Sequence, residues 1–217
     1  MEVMPIRIAG LGRIGGNDVA SSVTKEAIRM GAEVDFIIES DPNDEFDQGL
    51  IDWRTNLSNK HWLVLSSDGP LVSDSMKSAW VSSLTFAELE GCKTAMIVGV
   101  PSDVDRINEV WGSVIDRIRQ ISLLFISKEA LEKVSKIEET PPKLLLDKIR
   151  DRGAVPIVCT FDPIEGVAVV SHSMGRDVVE VEVDMRTERW LAGFLCALPI
   201  AGYGASAVAI SARSLFE

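Results

Sequence analysis

A three-layer, Rossmann-like α/β fold, with a mostly parallel sheet and a small C-terminal α/β extension, is what this 217-residue sequence predicts. Three observations predict it. Apolar runs of strand length alternate with amphipathic segments of helix length along the first two thirds of the chain. A glycine-rich loop joins the first strand to the first helix. Thr94-Ala95-Met96-Ile97-Val98-Gly99-Val100 is apolar almost without interruption, as a parallel strand buried on both faces must be.

Taken in order, Ile6–Leu11 reads as a strand and Asn17–Met30 as a helix stopped at Gly31. Val34–Glu39 is a second strand. The polar stretch Pro42–Asn59 holds one helical turn around Phe46–Trp53, and His61–Leu65 is a third strand that breaks at Ser67-Asp68-Gly69-Pro70. A helix over Asp74–Leu89 ends at Gly91. After the Thr94–Val100 strand, Asp103-Val104-Asp105 opens a long helix to Gln120, with acid at its positive end. Ser122–Ser127 is a strand and Lys128–Lys136 a helix. Thr140-Pro141-Pro142 is the candidate boundary, dividing residues 1–139 from an extension at 140–217. The extension reads as a helix (Lys143–Arg152) and strands near Val155–Phe161, Val167–Ser171 and Val178–Val183. A hairpin turns at Met174-Gly175-Arg176, and two short helical pieces end the chain.

The formal charge of −11 argues against a nucleic-acid or anionic-membrane surface. Cys92, Cys159 and Cys196 sit apart in apolar runs, which fits buried thiols in a reducing cytoplasm. With only two histidines and no paired thiols, no metal site is expected. Nothing at the N-terminus reads as a signal peptide, so the expected location is cytoplasmic. Leu191–Ala212 carries no charge and is flanked by Arg189 and Arg213, a length near that of a membrane span. Pro199, Gly202 and Gly204 interrupt it, so burial in the fold is the expectation and lipid contact the alternative.

Gly10, Gly12 and Gly15 have the G-x-G-x-x-G spacing between strand and helix. Such glycines let the backbone approach phosphates, which then rest on the free N–H groups of the helix start. The candidate ligand-binding residues are therefore Gly10, Gly12, Gly15 and Gly16 around the phosphates, and Asn17 as helix cap and ligand contact. Glu39 at the end of the second strand, and Asp103 or Arg106 beside a ribose or base, complete the set. No catalytic residue is identifiable from spacing. Phe161-Asp162-Pro163-Ile164-Glu165 reads as a turn between strands, initiated by Asp162-Pro163.

The run Gly10-Leu11-Gly12-Arg13-Ile14-Gly15-Gly16-Asn17-Asp18-Val19, followed by Asp35-Phe36-Ile37-Ile38-Glu39-Ser40-Asp41, resembles the opening of the tubulin/FtsZ GTPase fold. Met96–Val100, Arg106-Ile107-Asn108, Leu123–Ile126 and Leu131–Ser135 are similar to later parts of that family. The resemblance implies GTP or GDP, with or without Mg, and association with a second copy or a protein partner controlled by the nucleotide. Where that family carries a second phosphate loop, this chain has Ser66-Ser67-Asp68-Gly69-Pro70, and a carboxylate and a proline oppose phosphate binding there. That implies little hydrolysis.

Val98-Gly99-Val100-Pro101-Ser102-Asp103 resembles a strand edge of hydroxyacid-type dehydrogenases, which implies an NAD-linked oxidoreductase with Glu39 on the ribose. Gly15-Gly16-Asn17, Arg29–Ala32, Asp44-Glu45-Phe46 and Ala192-Gly193-Phe194-Leu195 resemble ribokinase-type sugar kinases. Where those kinases have G-A-G-D, this chain reads Met185-Arg186-Thr187-Glu188. The expectation is thus a GTP-binding, tubulin/FtsZ-like protein, with an NAD oxidoreductase or a non-catalytic interaction subunit as alternatives.

Overall fold

The computed structural model describes residues 5–11, 18–38 and 46–213. Within them lie strands β1 (Arg7–Gly10), β2 (Glu33–Phe36), β3 (Trp62–Ser66), β4 (Lys93–Val98), β5 (Leu123–Ile126), β6 (Ile157–Asp162), β7 (Val167–His172) and β8 (Gly175–Glu180). All eight join in one sheet, ordered β2-β1-β3-β4-β5-β6-β7-β8. Neighbours from β2 through β6 pair in parallel. β7 runs antiparallel to both of its neighbours. The sheet continues across Thr140-Pro141-Pro142, because β5 and β6 are in register from Leu123↔Ile157 onward.

The helices are α1 (Val19–Arg29), α2 (Trp53–Leu57), α3 (Asp74–Glu90), α4 (Ile107–Asp116), α5 (Lys128–Ile137), α6 (Pro142–Gly153), α7 (Thr187–Ala201) and α8 (Ala205–Arg213). Their starts and stops follow from local chemistry. Ser73 and Ser127 cap α3 and α5 by accepting the Met76 and Ala130 N–H groups. Pro142 stands first in α6, where no amide hydrogen is needed. Gly91 closes α3 in the left-handed region at φ 70°. The expected 103–120 helix is divided: single 3-10 turns, Val104–Arg106 and Ile118–Gln120, flank α4. Around Phe46–Trp53 the chain makes a 3-10 turn, Gln48–Leu50, and the short α2 follows.

Strand alternation sorts the core into two layers. Leu63, Leu65, Met96, Leu124 and Val158 face α2 to α6 and meet Trp80, Leu84, Trp111, Leu131 and Leu145. Trp62, Val64, Ile97, Phe125 and Phe161 face α1, α7 and α8 and meet Val23, Trp190, Phe194 and Val208. Two indole N–H groups of the second layer find backbone partners. Trp62 donates to the Leu195 carbonyl at 2.8 Å and Trp190 to the Ala212 carbonyl at 3.0 Å, tying the last two helices to the sheet. Leu191 to Leu198 lie buried in that layer, and no helix among the described residues is long and apolar enough to cross a membrane.

Candidate functional site

The carboxyl ends of β1, β3, β4, β5 and β6 share one edge of the sheet. From β1 the chain steps outward to β2, and from β3 it builds in the other direction, so the switch point lies between β1 and β3. Open α/β sheets bind ligands outside the carboxyl ends of such strands. Gly10 ends β1 here, and the Leu11 N–H donates to the Val64 carbonyl at 3.2 Å. Ser66 ends β3; its carbonyl accepts the Trp80 indole N–H at 3.0 Å and its hydroxyl donates to Asp68. A 3-10 turn, Gly69–Leu71 with Pro70 inside it, follows. The loop after β4 closes over α1, with a Cβ on Gly99 falling 3.6 Å from Val19.

Farther along the same edge, three segments converge on one corner. Thr160 and Asp162 project from the same face of β6, two residues apart. Thr160 is 9% exposed, and its buried hydroxyl has no hydrogen-bond partner. The Asp162 carboxylate is ion-paired with Lys128, the first residue of α5. It also accepts the Ile164 N–H at 3.0 Å and the Glu165 N–H at 3.3 Å. Burial pushes the Asp162 carboxyl up, but the Lys128 bond and the two turn N–H groups outweigh it and hold the group below its ordinary value.

The turn after β6 is clasped by the strand that leads into α7. Val181 donates to the Gly166 carbonyl at 2.7 Å and Asp184 to the Pro163 carbonyl at 3.0 Å. Asp184 takes a left-handed φ of 64°, which swings the chain from β8 toward α7. Arg186 occupies the cap position of α7 without a side-chain capping bond, and Glu188 lies in the first turn. The Arg186 guanidinium reaches Glu26 of α1, a 6%-exposed carboxylate that Arg29 also binds. The N-terminus of α7 is therefore fixed to α1 by a charge pair.

Of the residues expected from sequence, Gly10 lies at the switch point. A Cβ there would meet Thr24 at 3.4 Å and Phe36 at 3.5 Å, ordinary contact, so no close backbone approach demands glycine. Gly12, Gly15, Gly16, Asn17 and Glu39 lie outside the described residues. The cap of α1 is Asp18, not Asn17: its carboxylate accepts the Ser21 N–H at 2.8 Å and binds the Ser21 hydroxyl. Asp103 accepts the Asp105 N–H at 3.2 Å, and Arg106 is held by both carboxylate oxygens of Glu109 at 2.9 and 3.0 Å. Both sit on the loop after β4, two strand spacings, or about 10 Å, from β1.

Thr160 and Lys128 carry no signal of spacing as candidate site residues, and Glu188 enters from sequence only as a departure from G-A-G-D. A faint signal of residue type existed, since Thr160 and Asp162 place two polar groups on one face of an otherwise apolar strand. Burial pushes the Cys92 and Cys196 thiols up to about 12, which leaves them protonated and inert. Among the described residues no group of three or more His, Cys, Asp or Glu side chains could hold a metal ion.

No protein-family model and no curated protein matches the chain. Solved structures do. A PfkB protein from Polaromonas sp. JS666 superposes with a TM-score of 0.73 at 12% identity, covering 96% of this chain and 94% of the other. The fold is that of the sugar kinases. A fructokinase with bound ATP from Xylella fastidiosa matches with a TM-score of 0.72 at 10% identity over 96% and 88% of the two chains. Aminoimidazole riboside kinase from Salmonella enterica matches with a TM-score of 0.68 at 14% identity over 97% and 90%.

These neighbours overturn the tubulin/FtsZ resemblance, and with it a GTP- or GDP-binding protein acting through nucleotide-controlled association. The loop after β3 shows why: a proline-bearing 3-10 turn, packed on Trp80, replaces a phosphate cradle. An NAD oxidoreductase fails on topology. Dinucleotide-binding dehydrogenases order their strands 3-2-1-4-5-6, whereas here β3 pairs with β1 on the side away from β2. Of the sequence resemblances, the one to ribokinase-type kinases agrees with the fold, and Ala192–Leu195 lie within α7.

Proposed function

We propose that the protein binds ATP and transfers its terminal phosphoryl group to a hydroxyl of a small sugar-type substrate. The observation that carries this reading is the sugar-kinase fold, matched along 96% of the chain. Local features of the far corner support it. The unpaired Thr160 hydroxyl, the Lys128 ammonium and the uncapped first turn of α7 are three donors at one end of the sheet, and all suit an anionic cosubstrate. In this reading the phosphates rest against that corner. The acceptor lies at the switch point beside Gly10 and Ser66, with Asp103 and Arg106 on its flank.

Phosphoryl transfer needs positioning and charge neutralisation more than covalent chemistry, and Mg²⁺ arriving with ATP supplies part of the latter when bound. The chain's own task is to orient the acceptor and remove its proton. The ribokinase-type resemblance gives the proton to the aspartate of G-A-G-D; this chain has neither that aspartate nor its glycines, and the aligned stretch is Met185-Arg186-Thr187-Glu188. Glu188, in the first turn of α7, is the carboxylate available for that proton. The Arg186–Glu26 pair holds the turn in place.

The experiment is a ³¹P NMR assay of ATP·Mg²⁺ turnover against a panel of hexoses, pentoses and nucleosides. Transfer to one class of acceptor is expected, and Glu188→Gln lowers it by about 10²–10⁴-fold with the fold intact. No transfer to any acceptor, together with no ATP binding at millimolar concentration, contradicts the proposal.

A further inference from the structure

We infer that the Asp162 carboxylate occupies, as an internal anion, the receptor that a phosphate of the nucleotide would otherwise fill, so that a ligand enters only by displacing it. The inference rests on the nucleotide reading above and adds a gate to the same corner.

The groups that hold Asp162 are those that hold an oxyanion: one ammonium from Lys128 and two successive backbone N–H groups, from Ile164 and Glu165. Other aspartates in the chain bond the backbone of their own turns. Asp47 accepts from Gly49, Asp52 from Thr55 and Asp103 from Asp105. Only at Asp162, among these four, does a lysine from a separate helix join the turn amides. The cluster therefore gathers donors from two elements 34 residues apart onto one carboxylate.

A second observation points to a ligand rather than to Asp162 as the intended occupant. Thr160 projects from the same face of β6, and its hydroxyl is more than nine-tenths buried without a partner. A buried hydroxyl left unpaired keeps its full desolvation penalty with nothing to offset it. A phosphate carries more acceptor oxygens than a carboxylate, so a ligand seated on Lys128 and the turn amides has one to spare for Thr160. The Asp162 side chain is 18% exposed, which leaves it a path outward to solvent when displaced.

The test is calorimetric titration of the full chain with pyrophosphate and with ATP, on wild type, Asp162→Ala, Asp162→Asn and Asp162→Ala with Lys128→Ala. Removing the internal anion should tighten pyrophosphate binding by about tenfold or more in Asp162→Ala. Asp162→Asn keeps an acceptor for the turn amides without the charge, so it preserves the turn and shows a smaller gain. Adding Lys128→Ala abolishes the gain. Thr160→Val in the Asp162→Ala background weakens binding several-fold.

If folded Asp162→Ala and Asp162→Asn bind pyrophosphate no more tightly than wild type, the gate does not exist. A gain that survives Lys128→Ala also overturns the assignment. The two proposals fail separately. Tighter pyrophosphate binding by the variants without phosphoryl transfer to any acceptor sinks the kinase reading and leaves the gate standing. Transfer by wild type with no gain in the variants does the reverse.

Discussion

Replacing Gly166 by alanine probes the corner at its tightest point. Gly166 has φ 62°, and a Cβ there would lie 2.7 Å from the Val181 carbonyl oxygen and 3.2 Å from the Val183 Cα. Both obstacles are backbone, so neither can rotate away. The left-handed conformation costs an L-residue about 1–2 kcal/mol, and forcing a methyl group into a packed contact adds about 1–3 kcal/mol. Gly31 separates these contributions: it has φ 86° but nothing within 4 Å of an added Cβ, so Gly31→Ala carries the conformational cost alone. Gly166→Ala should therefore destabilise by about 2–5 kcal/mol and Gly31→Ala by about 1–2 kcal/mol. At roughly 2–4 °C per kcal/mol for a chain of this size, the expected falls in Tm are about 4–20 °C and 2–8 °C. Differential scanning calorimetry of both variants reads the difference. If Gly166→Ala is no worse than Gly31→Ala, the clasp between the β6–β7 turn and the approach to α7 is misdescribed.

Other expectations follow from the two core layers and from His61. Trp190 stacks between Phe161 and Phe194, with ring centroids 5.2 and 5.3 Å away, and donates to the Ala212 carbonyl. Trp190→Ala should cost about 3–5 kcal/mol, read as a shift of the urea midpoint, and a loss below 1 kcal/mol would show that α7 is not anchored through this ring. Burial, and then the charge of Arg7, lower the pKa of His61, whose Nδ1 accepts the Arg7 N–H at 3.0 Å. The unfolded chain takes up that proton near pH 6.5 while the folded chain resists it, so stability from this group is full above about pH 6.5 and falls as the pH drops toward the folded value. Urea melts at pH 7.5 and 5.5 should show a smaller pH dependence in His61→Asn than in wild type; equal dependence would remove His61 from the account.

Much of the fold could be read before any coordinates. The Thr94–Val100 run, the serines before α3 and α5, and the glycine after α3 each act through local backbone chemistry, so their elements fall where expected. The hairpin falls at its expected place too, with the turn one residue early because β8 begins at Gly175. Strand order was not legible: an apolar run says that a strand is buried, not which neighbour it pairs with. The glycine loop opens several nucleotide-binding folds alike, so without the strand order it does not separate them. The far corner was illegible for a related reason. Lys128 and Asp162 meet only because α5 and β6 are adjacent in space, and whether the Thr160 hydroxyl is paired depends on packing that no spacing rule encodes.

The most direct test of the central claim is an NMR titration of the ¹⁵N-labelled chain with ATP·Mg²⁺ up to millimolar concentration. The account predicts that the largest amide shifts fall on Ile164, Glu165, Thr187 and Glu188, with smaller ones at Leu11 and Ser67. Shifts centred instead on Asp105 and Arg106 with the turn amides unmoved, or no shifts anywhere, would contradict it.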